Sequence, residues 1–163
     1  MRQLLIVRHA VAYERNATRW PDDALRPLTD RGKRKFRRTA RQLSDILDRP
    51  DELLTSTLKR ARQTARILRR EAGFPKPVEL RELAPDAAIA PLIAALGRRR
   101  GQRLAIVGHE PQLSALVSDL LGGMLPGRVP LKKGGVVLLG FDGPIAAGKA
   151  QLLLFAAPSA LRR

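Results

Sequence analysis

The sequence predicts an α/β fold, a three-layer α/β/α sandwich around a largely parallel central sheet. Three observations predict it. Short apolar runs of strand length alternate with segments whose apolar residues recur every three or four positions. The first of these runs, Leu4-Leu5-Ile6-Val7, is continuously apolar, as in a strand covered on both faces. A chain of 163 residues with a 44% hydrophobic share can fill one core but not two, so residues 1–163 are read as a single domain.

The elements follow in order. After the first strand, residues 10–28 are polar and irregular, with Pro21 and Pro27, and read as a long loop of the kind that is functional or mobile. Thr29-Asp30 offers an N-cap. Phe36, Ala40, Leu43, Ile46 and Leu47 then form one apolar helical stripe that ends before Pro50. Glu52–Thr55 is a second strand, and Ser56-Thr57 caps a helix from about Lys59 to Glu71, with Gly73 as its stop. Val78–Leu80 reads as a brief edge strand and residues 86–97 as a helix rich in Ala, Ile and Leu. Arg103–Val107 is a third clear strand, followed by a helix from about Pro111 to Leu121. Gly122–Gly134 is a connection, and Gly135–Phe141 and Ala150–Ala156 are two neighbouring strands that pair at the sheet edge.

Composition narrows the chemistry. No cysteine is present, which excludes a disulfide framework, a thiolate nucleophile and a sulfur-ligated zinc site. No apolar run is long enough for a membrane helix, and Met1–His9 lacks the long apolar region of a signal peptide. A cytoplasmic location is expected. The net charge of +16, from 31 basic and 15 acidic residues, is densest in Arg31–Arg41 and Arg98–Arg103. It reads either as attraction to an anionic partner or as arginines decorating solvated helix faces.

The two histidines carry the functional signal. His9 follows the first strand, and His109 follows the strand Leu104–Val107-Gly108. In a parallel sheet both emerge at the carboxyl edge, where the ligand crevice of such folds forms. Arg60 falls in the first turn of the helix after Glu52–Thr55. A cation there opposes the helix dipole unless an anion is bound beside it. Arg62 points to another face and reads as an exposed arginine. With Arg8, these residues make an electropositive pocket holding a potential nucleophile. An imidazole nitrogen can attack phosphorus in line, while guanidinium forks stabilise the equatorial oxygens and keep the imidazole unprotonated.

The motifs resemble those of the histidine phosphatase superfamily, the phosphoglycerate-mutase-like fold. Arg8-His9-Ala10 resembles its Arg-His-Gly signature, with alanine in place of glycine. Arg26-Pro27-Leu28-Thr29 with Gly32 resembles the segment leading into its first helix. Ser56-Thr57-Leu58-Lys59-Arg60-Ala61-Arg62-Gln63-Thr64-Ala65 and Val107-Gly108-His109-Glu110-Pro111 resemble two further blocks, and all four occur in family order. The resemblance implies that His9 becomes the phosphohistidine, and that Arg8, Arg60 and His109 complete the phosphate pocket. The short length is similar to that of the small bacterial phosphohistidine phosphatases. This implies a histidine phosphotransfer protein as substrate, inorganic phosphate as product and no cofactor or metal. A small phosphorylated molecule is the other substrate class. For a general acid, Glu110, Glu82 and Asp86 are the candidates; Glu110 is favoured by its place beside His109, and also reads as a carboxylate satisfying a helix N-terminus. Asn16, Tyr13 and Trp20 of the long loop are further candidates to meet substrate, or, for the two aromatics, to pin the loop.

Other classes fit less well. No metal-ligand cluster of the Asp-x-His type and no Walker loop is present. A nucleic-acid or polyphosphate binding module accords with the charge but lacks interleaved aromatics. A mutase would need substrate-enclosing insertions that this chain does not have.

Overall fold

A computed structural model describes residues 1–123 and 130–161. Residues 124–129 of the expected Gly122–Gly134 connection lie outside the described residues. The strands are β1 (Arg2–Arg8), β2 (Glu52–Thr55), β3 (Pro77–Glu79), β4 (Arg103–Gly108), β5 (Val136–Phe141) and β6 (Gln151–Ala156). The helices are α1 (Asp30–Ile46), α2 (Lys59–Ala72), α3 (Ile89–Gly97), α4 (Gln112–Leu120) and α5 (Pro158–Leu161). They build one six-stranded sheet in the order β3-β2-β4-β1-β5-β6. The first four strands in that order are parallel, and β5 and β6 add an antiparallel edge.

Alternation along the central strands assigns the layers. Leu4 and Ile6 of β1, with Leu104 and Ile106 of β4, face α3 and α4. Leu5, Val7, Ala105 and Val107 face the other way, against α1, α2 and α5. Both faces are covered, so the runs are continuously apolar, and each fully buried Leu, Ile or Val side chain contributes roughly 1.5–3 kcal/mol. This is the predicted α/β/α sandwich.

The caps show where pattern reading held and where it slipped. Thr29 caps α1, its Oγ1 accepting from Gly32 N–H at 2.9 Å. Gly73 ends α2 at φ 67°, a left-handed conformation that favours glycine. At the start of α2 the N-cap is Leu58 rather than Ser56 or Thr57, and Ser56 Oγ instead accepts from Leu58 N–H at 3.2 Å. The helix expected over 86–97 begins only at Ile89, behind a 3-10 turn at Arg81–Leu83. Alanine-rich composition carried no signal for that later start. The four-residue α5 was not foreseen; its apolar contact is the single buried Leu161.

Candidate active site

Register brings the two histidines together. β1 and β4 run in parallel with Arg8 opposite Gly108, so the next residue of each strand leaves the sheet at the same point. His9 N–H donates to Gly108 C=O at 3.0 Å, and the imidazole rings lie 5.1 Å apart, tilted by 53°. Both are buried, His9 6% exposed and His109 2%. Among the described residues they line an open pocket with Arg8, Tyr13, Glu14, Arg15, Arg26, Arg60, Pro85, Glu110 and Lys133.

A hydrogen bond fixes the protonation of the His9 ring, and another ties His109 to Ser56. His9 Nδ1 lies 2.7 Å from the carbonyl of Ala10, an acceptor only, so Nδ1 carries the proton and Nε2 the lone pair. Ser56 Oγ accepts from Leu58 N–H and lies 2.8 Å from His109 Nε2. When the Ser56 hydroxyl donates to Nε2, the His109 proton sits on Nδ1. Burial, opposed by the Ala10 bond and reinforced by Arg60, Arg8 and Lys133, lowers the His9 pKa from 6.5 to about 3. Burial first, then His9, Arg60, Arg8 and Arg26, lowers that of His109 from 6.5 to about 2. The expected arginine effect is present, but desolvation exceeds it.

The arginines are held from behind. Arg8 donates from Nη1 to Leu131 C=O at 2.7 Å. Arg60, 3% exposed, donates from Nη1 to Asp23 C=O at 3.0 Å, and its Nη2 pairs with Asp23 Oδ2 at 3.3 Å. Arg26 donates to the other Asp23 oxygen at 2.7 Å and to Tyr13 C=O at 2.6 Å. Asp23 thus aligns two guanidinium groups, and the Arg26 hydrogen bond keeps its own pKa below the usual carboxylate value. It also answers the question of why a cation stands in the first turn of α2. Burial lowers the pKa of Arg8 and Arg60.

Four polar residues of the segment 56–65 serve the site or its surroundings. Ser56 orients His109, and Arg60 lines the pocket. Gln63 Oε1 accepts from Leu28 N–H at 2.8 Å. Thr64 Oγ1 accepts from Ala10 N–H at 3.0 Å and donates to Arg60 C=O at 2.8 Å. Ala10 is 2% exposed, and no non-glycine residue among those described has a positive φ, so the methyl group is accommodated without strain at the turn after His9. Gly32 cannot change so freely, because a Cβ there would stand 2.2 Å from Val11 C=O.

Glu110 lines the pocket and also serves the start of α4. Its Oε1 accepts from Ser114 N–H at 2.9 Å, and Oε2 accepts a short bond from Ser114 Oγ. The carboxylate thus satisfies the helix start, as expected, and stands at the pocket where a general acid would be needed. Glu82 and Asp86 do not line the pocket; Pro85 does. The 3-10 turn and the two bonds from Gln112 Nε2, to Glu82 C=O at 2.7 Å and Ala87 C=O at 3.0 Å, hold that segment with its carboxylates elsewhere. Asn16 is also absent from the lining, its Oδ1 accepting from Thr18 and Arg19 N–H, each at 3.0 Å, in a local turn. Tyr13 lines the pocket. Trp20 packs behind it, with the Arg19 guanidinium 4.5 Å from the Tyr13 ring centre and 4.8 Å from that of Trp20. Arg62 pairs with Glu79 at 3.4 Å, outside the pocket.

Sequence reasoning missed Lys133, Arg15 and Asp23, and it saw Arg26 only as part of a motif. For Lys133 a signal existed. It precedes Gly134-Gly135, and Gly134 N–H donates to both Arg8 and His9 C=O, at 3.1 and 3.0 Å, with φ 75°. That contact draws the lysine to the nucleophile.

Three buried nitrogen atoms on pocket-lining side chains have no partner among the described residues: the donors Arg8 Nε and Arg60 Nε, and His109 Nδ1. Buried donors without acceptors are costly, and an anion in the pocket would satisfy such groups. With five cations and two carboxylates among the lining residues, the pocket is suited to an oxyanion. No group of three or more His, Asp or Glu among the described residues is arranged to hold a metal ion.

Known proteins resemble this chain in sequence and in fold. The model of the histidine phosphatase superfamily (branch 1) matches residues 4–84. An uncharacterized protein of Picosynechococcus sp. is 32% identical over 138 residues, 83% of this chain and 82% of that protein. The structure of a candidate phosphohistidine phosphatase, SixA, from Agrobacterium tumefaciens is similar at 25% identity and TM-score 0.78, covering 96% of this chain and 98% of that one. The protein histidine phosphatase SixA complexed with tungstate shares the fold at 24% identity and TM-score 0.82, over 98% and 99% of the two chains. So does the alpha-ribazole phosphatase of Shigella flexneri, at 20% identity and TM-score 0.73, over 96% of each. The matched segment carries His9 and Arg60, and the likeness of structure extends across nearly the whole fold: this chain belongs to the histidine phosphatase superfamily.

Proposed function

We propose that the protein is a cytoplasmic phosphohistidine phosphatase that passes the phosphoryl group through His9. The observation that carries this reading is the His9 ring. Its Nδ1–H is held by Ala10 C=O, its Nε2 lone pair has no protein partner among the described residues, and the donors around it are unsatisfied. The likeness to structures named for phosphohistidine phosphatases supports the substrate class, and tungstate, a tetrahedral oxyanion, is bound by one of those proteins.

In the proposed reaction the phosphoryl group meets Arg8, Arg60 and Arg26, with His109 Nδ1–H donating to one of its oxygens. His9 Nε2 attacks phosphorus, the bond from phosphorus to the substrate imidazole breaks, and that nitrogen departs with the electron pair. Water then attacks phosphorus, the P–Nε2 bond breaks, and inorganic phosphate leaves. Fixed cations and buried donors supply most of the acceleration. Imidazole leaves more easily than an alkoxide, so Glu110 matters less for this substrate than for an ester. No metal takes part in the scheme.

Phosphate release from a phosphohistidine peptide and a phosphoserine peptide of the same sequence, with and without a chelator, tests this reading. The expected result is preferred hydrolysis of the phosphohistidine form, unaffected by chelator. Preference for phosphoserine, or loss of activity with chelator, would overturn it.

A further inference from the structure

The positive charge is not spread evenly. Helix α1 holds seven Lys or Arg against two Asp, and α2 six against one Glu. On the opposite face of the sheet, α3 and α4 hold no basic residue. A general bias toward arginine would have marked both layers.

Ion pairing sorts the cations further. Lys33 pairs with Asp30, Arg37 and Arg41 with Glu71, and Arg62 with Glu79. Arg31, Arg34, Lys35 and Arg38 are exposed and have no ion pair among the described residues. Their spacings of three, four and seven place them on one side of α1. The stripe reaches the active site, because Lys35 lines a cleft with Ala10, Gly32 and Lys133, and Lys133 lines the catalytic pocket as well. The other dense run lies at the far end of β4, where Arg99 pairs with Glu52 and Arg103 with Asp48.

We propose that Arg31, Arg34, Lys35 and Arg38 form a docking surface for the acidic face of a protein that presents its phosphohistidine to the pocket; this rests on the function proposed above. Charge complementarity and contact with the pocket rim support it. A nucleic-acid partner fits less well, since α1 and α2 expose no aromatic side chain on which bases could stack; Phe36 is 2% exposed.

The test uses a helical peptide bearing one phosphohistidine and several glutamates, the same peptide with every glutamate replaced by glutamine, and free phosphoramidate. The variant Arg34→Glu/Lys35→Glu/Arg38→Glu is compared with Arg98→Glu/Arg100→Glu/Lys149→Glu, which changes the net charge equally at exposed positions outside the stripe. Binding of the unphosphorylated acidic peptide is followed by fluorescence anisotropy, independently of turnover. The stripe variant should raise KM and Kd for the acidic peptide about tenfold or more, with kcat retained. The control should change them less than about twofold, because charges beyond a Debye length of roughly 8 Å are screened at physiological salt. Phosphoramidate hydrolysis should be unchanged in both variants. Equal weakening by the two variants, or equal binding of acidic and neutral peptides, would overturn the proposal. So would tighter, stripe-dependent binding of a duplex oligonucleotide of the same charge. If no phosphohistidine is hydrolysed, the function fails by itself, while anisotropy still decides whether the stripe binds acidic peptide.

Discussion

Two buried, neutral histidines make stability depend on pH in a range where few other groups titrate. In the folded chain His9 and His109 protonate near pH 3 and 2, but once unfolded they recover values near 6.5. The unfolded chain therefore binds more protons below pH 6.5. Stability is fully present above that value and is lost as pH falls toward the folded pKa values. Between pH 6 and 5 the loss is about 1 kcal/mol per histidine, or about 2 kcal/mol for the pair. For a domain of this size that lowers Tm by roughly 4–8 °C. The Asp23 pKa is lowered as well, but the stability it contributes is lost only as pH falls through and below the usual carboxylate value of 3.8, so it leaves this window clear. The assay is calorimetry at pH 6 and 5 in phosphate-free buffer, on the wild type and on His9→Gln/His109→Gln. The double variant should lose most of the pH dependence, whatever its own Tm. An equal fall in both proteins would refute the assignment of neutral, desolvated rings.

Further outcomes follow from the same contacts. Ser56→Ala removes the partner of His109 Nε2 and should cost about 1–3 kcal/mol of stability while lowering kcat, read by urea unfolding and steady-state kinetics. Gly32→Ala drives a methyl group against Val11 C=O and should destabilise by about 1–3 kcal/mol, measured as a lower urea midpoint. Glu110→Gln should slow hydrolysis of an alkyl phosphate ester more than that of a phosphohistidine peptide; equal, small effects would remove Glu110 from the mechanism.

Much of this site was legible in the sequence because its residues lie at strand ends. The apolar runs Leu4–Val7 and Leu104–Val107 identified parallel strands, which puts His9 and His109 at the same sheet edge; that the two strands are neighbours in register, bringing the rings together, is set by the tertiary fold. Arg60 was legible for a similar reason, in the first turn after β2. What stayed hidden lies on loops. Asp23 belongs to a 3-10 turn inside residues 10–28, and its role emerges only when that loop folds back, with Tyr13 N–H on Pro27 C=O, to meet α2. Lys133 reaches the pocket through the backbone contact of Gly134, and the glycine pair that follows it was its one trace in the sequence. Glu82 and Asp86 were candidates only through the family resemblance, and the 3-10 turn with its Gln112 bonds leaves both out of the pocket lining.

The central claim is that His9 carries the phosphoryl group, and trapping the phosphoenzyme tests it most directly. Wild type and His9→Ala would be mixed with labelled phosphoramidate, quenched in alkali and examined for label on protein. The account predicts label on the wild type that survives alkali, is lost in acid and is absent from His9→Ala. Phosphate released at equal rates by both proteins, with no label on either, would contradict it.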